Sequence, residues 1–200
     1  MVQALSLELL RNSVKDKYDI DQRCIVGIML ARYELLKTQK LIKENYQYWN
    51  NNTGKRLDIF WAGYGAYLPP DKESDEKIIV DFDGNRDRVY YDSLAFSTIK
   101  NELFKTLGQH YKDHIELVLV NYYNGDLHFG ESFRIDLESN LDEDLCSIRT
   151  IMEWLTDICG QEFDVKTVLM KLKKEKFLEK IKGVSVSDII SVGTGIVGTL

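Results

Sequence analysis

The chain has 200 residues, of which 44% are hydrophobic and 29% charged, which is enough apolar material for one core of ordinary size. Its formal net charge of −6 disfavours nucleic acid as the main partner, because phosphate binding requires a basic surface. No signal peptide is predicted, since the start of the chain carries Glu8 and Arg11 and lacks a continuous apolar segment. Three cysteines without a CxxC pair indicate buried free thiols in a reducing cytoplasm: Cys24, Cys146 and Cys159.

Helices and strands alternate in the first part of the chain. An amphipathic pattern predicts a first helix over residues 3–16. The apolar run of residues 24–31 has the length of a strand, and Gly27 with its β-branched neighbours favours that interpretation. A helical apolar face then predicts a helix over residues 33–49, and residues 56–63 form the next predicted strand.

A second hairpin is predicted between these elements and the next helix. Two short apolar strands, residues 77–82 and 88–91, enclose the turn-forming run DGNRD. Asp92 or Ser93 is then expected to cap a helix, and Gly108 to end it in the left-handed conformation.

Residues 115–137 contain the clearest local signal, two apolar runs joined by Asn124 and Gly125. Asn-Gly favours a type I′ hairpin turn, because both central residues of that turn need positive φ. The first strand is apolar on both faces and should lie deep in a sheet. In the second strand apolar and polar residues alternate, which is typical of a strand near a sheet edge with one face exposed to solvent. A two-residue loop predicts the pairs Tyr123 with Asp126, Tyr122 with Leu127, and Val120 with Phe129.

Two helices and an apolar tail complete the chain. Ser139 or Asn140 is expected to cap a helix that runs to Cys159. Residues 164–182 hold seven lysines against three acidic residues, so this predicted helix carries +4 while the rest of the chain carries −10. Residues 183–200 are rich in glycine and apolar side chains.

The fold predicted from these elements is α/β. Without the N-terminal helix and the inserted hairpin, the order β-α-β-α-β-β-α over residues 24–160 resembles the thioredoxin-like arrangement and implies a three-layer α/β/α fold with a mixed sheet. The thioredoxin CxxC is absent, since its place after the first strand reads LARYELLK, so thiol chemistry is not expected. The alternative is a small Rossmann-like α/β domain, which needs residues 115–121 to pair in parallel with residues 56–63.

We predict a single α/β domain over residues 1–163, with its core at 24–160 and an inserted loop and hairpin at 64–92. Residues 164–200 form a second region, the basic helix and the Gly-rich apolar tail. With only two prolines in the chain, long flexible linkers are not expected.

One motif suggests phosphoryl chemistry. Asp81-Phe82-Asp83-Gly84 follows an apolar strand and resembles the nucleophile motif of haloacid-dehalogenase-type phosphatases. The resemblance implies Asp81 as the nucleophile, Asp83 as the acid/base and Mg²⁺ as the cofactor. Asn85 departs from the family, which has Thr there, and a hairpin turn explains Asp and Gly without any chemistry.

Other chemical motifs are weaker. His110 and His114 have the spacing of helical zinc ligands, but Gly108 ends the helix before them and no HExxH glutamate is present. Both are therefore expected to be surface histidines on a loop, and no metal site is predicted. His128 is expected to join a polar cross-strand cluster with Asp126 and Arg134. Residues 193–198 match GxGxxG without the helix and acidic residue that a dinucleotide site needs.

The leading functional hypothesis is a non-enzymatic cytoplasmic interaction or sensor module, an adaptor that binds a protein partner or self-associates without a cofactor. The aromatic loop that begins at Trp61 is one candidate surface, with Tyr64 and Tyr67, although we expect Trp61 itself to pack in the core. The alternatives are a Mg²⁺-dependent phosphohydrolase that uses Asp81 and Asp83, and the N-terminal regulatory domain of a longer protein.

The basic helix and the tail form the second candidate surface. A lysine-rich amphipathic helix followed by an apolar tail suits a protein partner, self-association as β structure, or contact with an anionic membrane surface. The candidate contact residues are Lys171, Lys174, Ile189, Ile190 and Ile196.

Overall fold

The computed structural model of the chain describes residues 2–52, 57–66, 77–80, 89–108, 110–138, 148–174 and 184–186. Its strands are β1 (Val2–Ala4), β2 (Cys24–Leu30), β3 (Asp58–Ala62), β4 (Tyr64–Ala66), β5 (Lys77–Val80), β6 (Val89–Asp92), β7 (Glu116–Tyr123), β8 (Asp126–Asp136) and β9 (Val184–Val186). Its helices are α1 (Leu7–Lys17), α2 (Leu36–Asn52), α3 (Ser93–Leu107), α4 (Ile148–Cys159) and α5 (Val165–Lys174).

The two strands that are apolar on both faces, β2 and β7, lie side by side in the middle of a mixed six-stranded sheet with the order β1-β3-β2-β7-β8-β9. β1, β3 and β2 run parallel, β7 is antiparallel to β2, and β8 is antiparallel to β7. The mixed α/β sheet and the deep position of β7 are therefore as predicted. The parallel pairing required by the Rossmann-like alternative does not occur, because β2 lies between β3 and β7.

Helices α1 and α3 cover one face of this sheet. In the strand register, Asp58 of β3 and Arg134 of β8 point to the same side. Tyr18, which follows α1, donates a hydrogen bond to Asp58, and the Arg134 guanidinium lies 5.4 Å from the ring centre of Phe104 in α3. The buried charged residues of β7 and β8 lie on this face of the sheet.

Helices α2, α4 and α5 cover the opposite face. Trp49 of α2 packs against Trp61 of β3 with ring centres 5.3 Å apart. Asn121 of β7 accepts a hydrogen bond of 2.7 Å from the Val165 N–H and so caps the start of α5, while α4 packs against α5. The predicted three-layer α/β/α arrangement follows. None of the helices in the described part of the chain has the length and apolar character that crossing a membrane requires.

A three-stranded antiparallel sheet, with the order β4-β6-β5, accompanies the main sheet. The hairpin of β5 and β6 is as predicted, with Lys77 opposite Asp92. β4 was not predicted, and neither was β1. Gly63 connects β3 to β4 with a φ of +80°, its N–H donating to the Ala4 carbonyl and its carbonyl accepting from the Asp92 N–H, both at 2.8 Å.

The helix ends follow local chemistry. Asp92 caps α3 by accepting from the Ala95 N–H at 2.9 Å, and Gly108 ends that helix with a φ of +63°, both as predicted. α1 begins at Leu7, later than predicted, because β1 occupies the preceding residues and Ser6 supplies the cap. The caps predicted for α4, Ser139 and Asn140, lie outside the described residues.

The β7–β8 hairpin has the predicted Asn124-Gly125 turn with positive φ at both residues, and Tyr123 pairs with Asp126 as expected. The predicted pairing of Val120 with Phe129 is wrong, since Val120 pairs with Ser132 and the register shifts between Val120 and Asn121. β8 bulges around Gly130, a residue type that often marks such irregularities.

The polar side of β8 is also less exposed to solvent than predicted. Ser132 and Asp136 are buried, because helices α1 and α3 cover that side of the sheet. β9 pairs with β8 along Phe133 to Ile135, so β8 is the second strand from the edge among the described strands.

Candidate functional site

A polar cavity of about 330 Å³ lies beyond the carboxyl end of β2. In open α/β sheets this end of the parallel strands is where ligands usually bind, because the loops and helix starts converge there. The chain leaving β2 contributes Arg32 and Glu34 to the wall, β6 contributes Tyr91, and the start of α3 contributes Ser93 and Ser97. Lys100 from α3 and Asp113 from the segment before β7 complete its charged lining.

Arg32 holds the two acidic side chains of the wall. Its Nε lies 3.3 Å from Oε2 of Glu34, and its Nη1 lies 3.6 Å from Oδ1 of Asp113. The three groups are partly exposed, so each ion pair contributes little to stability. The network instead connects the loop after β2 to the segment before β7 and sets the positions of the charges around the cavity.

Tyr91 contributes a hydroxyl group to the wall of the cavity, and the hydrogen-bonding capacity of this group is not satisfied. Its side chain is 0% exposed and is packed among aromatic rings, with the ring centre of Tyr64 at 5.1 Å and that of Phe96 at 5.8 Å. The hydroxyl lies near the Glu34 carboxylate but makes no hydrogen bond of standard geometry with it or with any other described residue. Burial raises the pKa of Tyr91 far above its usual range and the Glu34 carboxylate raises it further, so the hydroxyl stays protonated and able to donate.

Lys100 brings a cation to the same cavity. Its Nζ lies 5.8 Å from the ring centre of Tyr111, and within the described residues it has no carboxylate partner. Lys100 and Asp113 also line a neighbouring cavity of about 380 Å³ together with His110 and Tyr111. The two cavities therefore meet along one side of α3.

A buried charged cluster lies behind Tyr111. Arg134 Nη1 is 3.4 Å from Oε2 of Glu116, and His114 Nδ1 is 2.7 Å from Oδ2 of Asp136. Neither carboxylate oxygen of Glu116 makes a hydrogen bond of standard geometry to a described residue, although the nearby Lys112 backbone lowers the pKa of the group. Burial raises the pKa of Glu116 to about 7, with Asp136 adding to the shift and Arg134 opposing it. Such a carboxyl group changes charge near neutral pH.

Sequence patterns did not identify this cluster. Glu116 begins a strand that is otherwise apolar on both faces, which was the one available signal of a buried charge. His114 was interpreted as a surface loop histidine, whereas it is half-buried and bonded to Asp136. No group of three His, Cys, Asp or Glu side chains is arranged to hold a metal ion within the described ranges.

Two of the predicted partner-binding residues are buried. Trp61 is 3% exposed and packs against Trp49, and Tyr64 is 0% exposed and donates a hydrogen bond of 2.6 Å to the Ala31 carbonyl. Core packing of Trp61 was expected. Tyr64 also lies in the core, and its hydroxyl is already bonded within the chain. Tyr67 lies outside the described residues.

The candidates in the basic helix and the tail are only partly described. Lys171 is half-buried and its Nζ lies 2.5 Å from Oε1 of Glu162, while Lys174 is exposed at the end of α5. The remaining candidates lie outside the described residues: Ile189, Ile190 and Ile196 of the tail, and Asp81 and Asp83 of the phosphatase-like motif. Partner binding by the tail and phosphohydrolase activity therefore stay predictions.

The polar cluster predicted around His128 does not form. Its Nε2 lies 3.0 Å from the Tyr123 carbonyl oxygen, and its ring stacks on that of Tyr123. Asp126 pairs instead with Arg11 at 2.6 Å, and Arg134 pairs with Glu116. The bulge in β8 explains the difference, because it separates the residues that a regular hairpin would bring together.

Both described cysteines are free thiols. Burial raises the pKa of Cys24 to about 11 and that of Cys159 to about 12. Because the thiolate is the reactive form, neither group is activated as a nucleophile.

Comparison of the chain with protein families, with curated protein sequences and with solved structures gives no match.

Proposed function

We propose that the chain is a non-enzymatic interaction module, an adaptor or sensor that binds a protein partner at the cavity beyond the carboxyl end of β2. The observation that carries the proposal is the Tyr91 hydroxyl, fully buried and without a partner in the wall of a cavity of about 330 Å³. An unsatisfied buried polar group costs about 1–3 kcal/mol. A bound partner that supplies an acceptor recovers this free energy.

The arrangement of the sheet supports a thioredoxin-like assignment. β3, β2, β7 and β8 are neighbours in that order, with β2 and β3 parallel and the two strands of the hairpin antiparallel to their neighbours. In thioredoxins the CxxC follows the first strand, and here Arg32 and Glu34 stand in that place. An ion pair in the place of two thiols suits recognition and not redox chemistry, although fold analogy by itself assigns no function.

The proposal places the module in the cytoplasm. Its support is the state of Cys24 and Cys159, which are free thiols kept protonated by burial, as is usual in a reducing compartment. The charges around the cavity then serve to orient a partner, since fixed complementary charges contribute more to specificity than to affinity.

Blocking the cavity tests the binding site. Ser97 lines the cavity from the first half of α3, and Ser97→Trp places a large ring there. We expect this variant to weaken the binding of a peptide selected on the purified chain from a displayed random library by about tenfold or more, because the ring excludes the peptide. The dissociation constant is measured by isothermal titration calorimetry.

Lys173→Ala is the matched control, because Lys173 is exposed on α5 on the other side of the sheet. This variant should bind the peptide as the parent does. If selected peptides bind Ser97→Trp as tightly as the parent, the cavity is not the binding site.

Self-association through the tail is proposed as a second route to partners. β9 pairs with β8, so a deletion that starts at residue 183 removes a strand of the sheet as well as the tail. Deletion of residues 187–200 leaves β9 in place. If the tail mediates assembly, this shorter deletion lowers the molar mass measured by light scattering. An unchanged molar mass would argue against assembly through the tail.

A further inference from the structure

We infer that the cavity beyond β2 recognises a singly charged carboxylate of the partner, with Lys100 and Tyr91 as the hydrogen-bond donors. The inference rests on the proposed function and adds the chemistry of the ligand to it. The carboxylate comes either from the carboxyl terminus of a chain or from an acidic side chain, since both present the same acceptor group.

Two donors in the wall of the cavity have no acceptor of standard geometry among the described residues. The Tyr91 hydroxyl has no partner, and the ammonium group of Lys100 carries three N–H donors but no carboxylate among the described residues. The acidic groups, by contrast, are already occupied, because Glu34 and Asp113 both interact with Arg32. A ligand that complements this lining brings acceptor atoms and a negative charge.

The charge of the ligand is limited by the same residues. The wall holds two carboxylates, Glu34 and Asp113, and two cations, Arg32 and Lys100. Because Arg32 is engaged with both carboxylates, a second negative charge on a ligand finds no further cation. A monoanion gains the bond to Lys100 with little repulsion, whereas a phosphate dianion is repelled more strongly. Carboxylate is the monoanion that proteins commonly present.

Tyr91 gives the cavity its selectivity for an acceptor. Its hydroxyl is buried, so a neutral apolar ligand would leave it unsatisfied, and a ligand that only donates would bond the oxygen but leave the O–H without an acceptor. Tyr91 is held in place by contacts between its ring and those of Tyr33, Tyr64 and Phe96. The hydroxyl is therefore positioned before the ligand arrives.

Four small probes test the chemistry on the ¹⁵N-labelled chain by NMR. N-acetylglycine carries a terminal carboxylate, and the α-amide of N-acetylglutamate carries a side-chain carboxylate. N-acetylglycinamide has the same backbone as N-acetylglycine without a charge, and inorganic phosphate, titrated at pH 8, is mostly the dianion. We expect the two carboxylates to shift the amide signals of Ser97 and Lys100 with dissociation constants on the order of millimolar, as suits such small ligands. The carboxylate that binds with the lower dissociation constant shows whether the natural ligand group is a chain terminus or an acidic side chain.

Two outcomes of these titrations would overturn the inference. One is a response to N-acetylglycinamide equal to that of N-acetylglycine, which would show that the negative charge is not recognised. The other is tighter binding of phosphate than of either carboxylate.

Substitutions test which side chains donate hydrogen bonds to the bound carboxylate. We expect Lys100→Met to weaken N-acetylglycine binding by about tenfold or more and Tyr91→Phe to weaken it about fivefold, as loss of a charged and of a neutral donor implies. Lys105→Met is the control, because Lys105 lies on the same helix and lines only the neighbouring cavity. Unchanged binding in Lys100→Met would overturn the inference.

Measuring the stability of Tyr91→Phe distinguishes a role of the hydroxyl in binding from a role in holding the fold together. Because its hydroxyl has no partner in the unbound chain, Tyr91→Phe should unfold at the same denaturant concentration as the parent or a higher one. A destabilised Tyr91→Phe would overturn the role of the hydroxyl as a free donor. If Ser97→Trp abolishes peptide binding while Lys100→Met does not, the proposed function stands and the carboxylate inference fails.

Discussion

Gly63→Ala is expected to lower the free energy of unfolding by about 3 kcal/mol or more, because a left-handed backbone and an occupied site penalise the new methyl group together. Gly63 has a φ of +80°, and a Cβ there would lie 2.6 Å from Cβ of Phe96 and 3.0 Å from the carbonyl oxygen of Asp92. Neither neighbour has room to move, since Phe96 is buried and Asp92 ends β6 and caps α3. The same backbone hydrogen bonds join both sheets at this point.

Gly108→Ala separates the cost of the left-handed backbone from the cost of the steric contact. Gly108 has a similar φ of +63°, but no other atom lies within 4 Å of the position its Cβ would take. Its replacement should cost about 1 kcal/mol, the penalty of the backbone conformation alone. Urea denaturation of both variants measures the difference. Equal losses of stability at the two positions would show that the contact with Phe96 and Asp92 is not the main cause.

Glu116→Gln is expected to change how stability depends on pH. In the folded chain the pKa of Glu116 is raised from its ordinary 4.5 to about 7. Between these two values the folded state holds a proton that the unfolded chain has released, so folding becomes less favourable as the pH rises through this window. Below the window both states are protonated, and the contribution of Glu116 is fully favourable there.

Glutamine resembles the protonated carboxyl group and has no charge to bury. The variant should therefore gain about 2 kcal/mol of free energy of unfolding relative to the parent between pH 5 and pH 8, as a rise of the pKa from 4.5 to about 7 implies. His114 and Asp136 also interact with Glu116, and Tyr111 faces the same region, so the difference between the two proteins reports the response of the whole cluster to the loss of the Glu116 charge.

Glu153→Gln is the matched control for this measurement. Glu153 pairs with Arg149 one helical turn away and its side chain is 44% exposed, so its replacement should alter stability little at any pH. Chemical denaturation from pH 5 to pH 8 gives the difference for each variant. A constant difference between Glu116→Gln and the parent over this range would show that Glu116 does not titrate in the folded chain.

Local chemistry accounts for the elements that the sequence predicted correctly. The Asn124-Gly125 turn, the Asp92 cap and the Gly108 stop each depend on the backbone preferences of one or two residues, which neighbours in the chain can reveal. The deep strand β7 was recognisable because its residues are apolar on both faces.

The short strands and the register depended on distant residues. β1 and β4 contain three residues each, too few for a periodic pattern, and they form because β3 and β6 offer free hydrogen-bonding edges. The pairing of Val120 with Ser132 requires a bulge that no turn rule indicates. In that register the charged side of β8 lies beneath α1 and α3 and not in water.

The class of fold, the central hairpin turn and the lack of a thioredoxin CxxC could be predicted, because each depends on composition or on residues that are close in the chain. The candidate site could not be predicted, because it is assembled only when the chain folds. Arg32, Tyr91, Lys100 and Asp113 come from four separate segments and form no motif, and the sheet and α3 bring them to one cavity. The tertiary structure likewise decided which polar groups are unsatisfied, because burial of Tyr91 and Glu116 depends on the packing of whole layers and not on their neighbours in sequence.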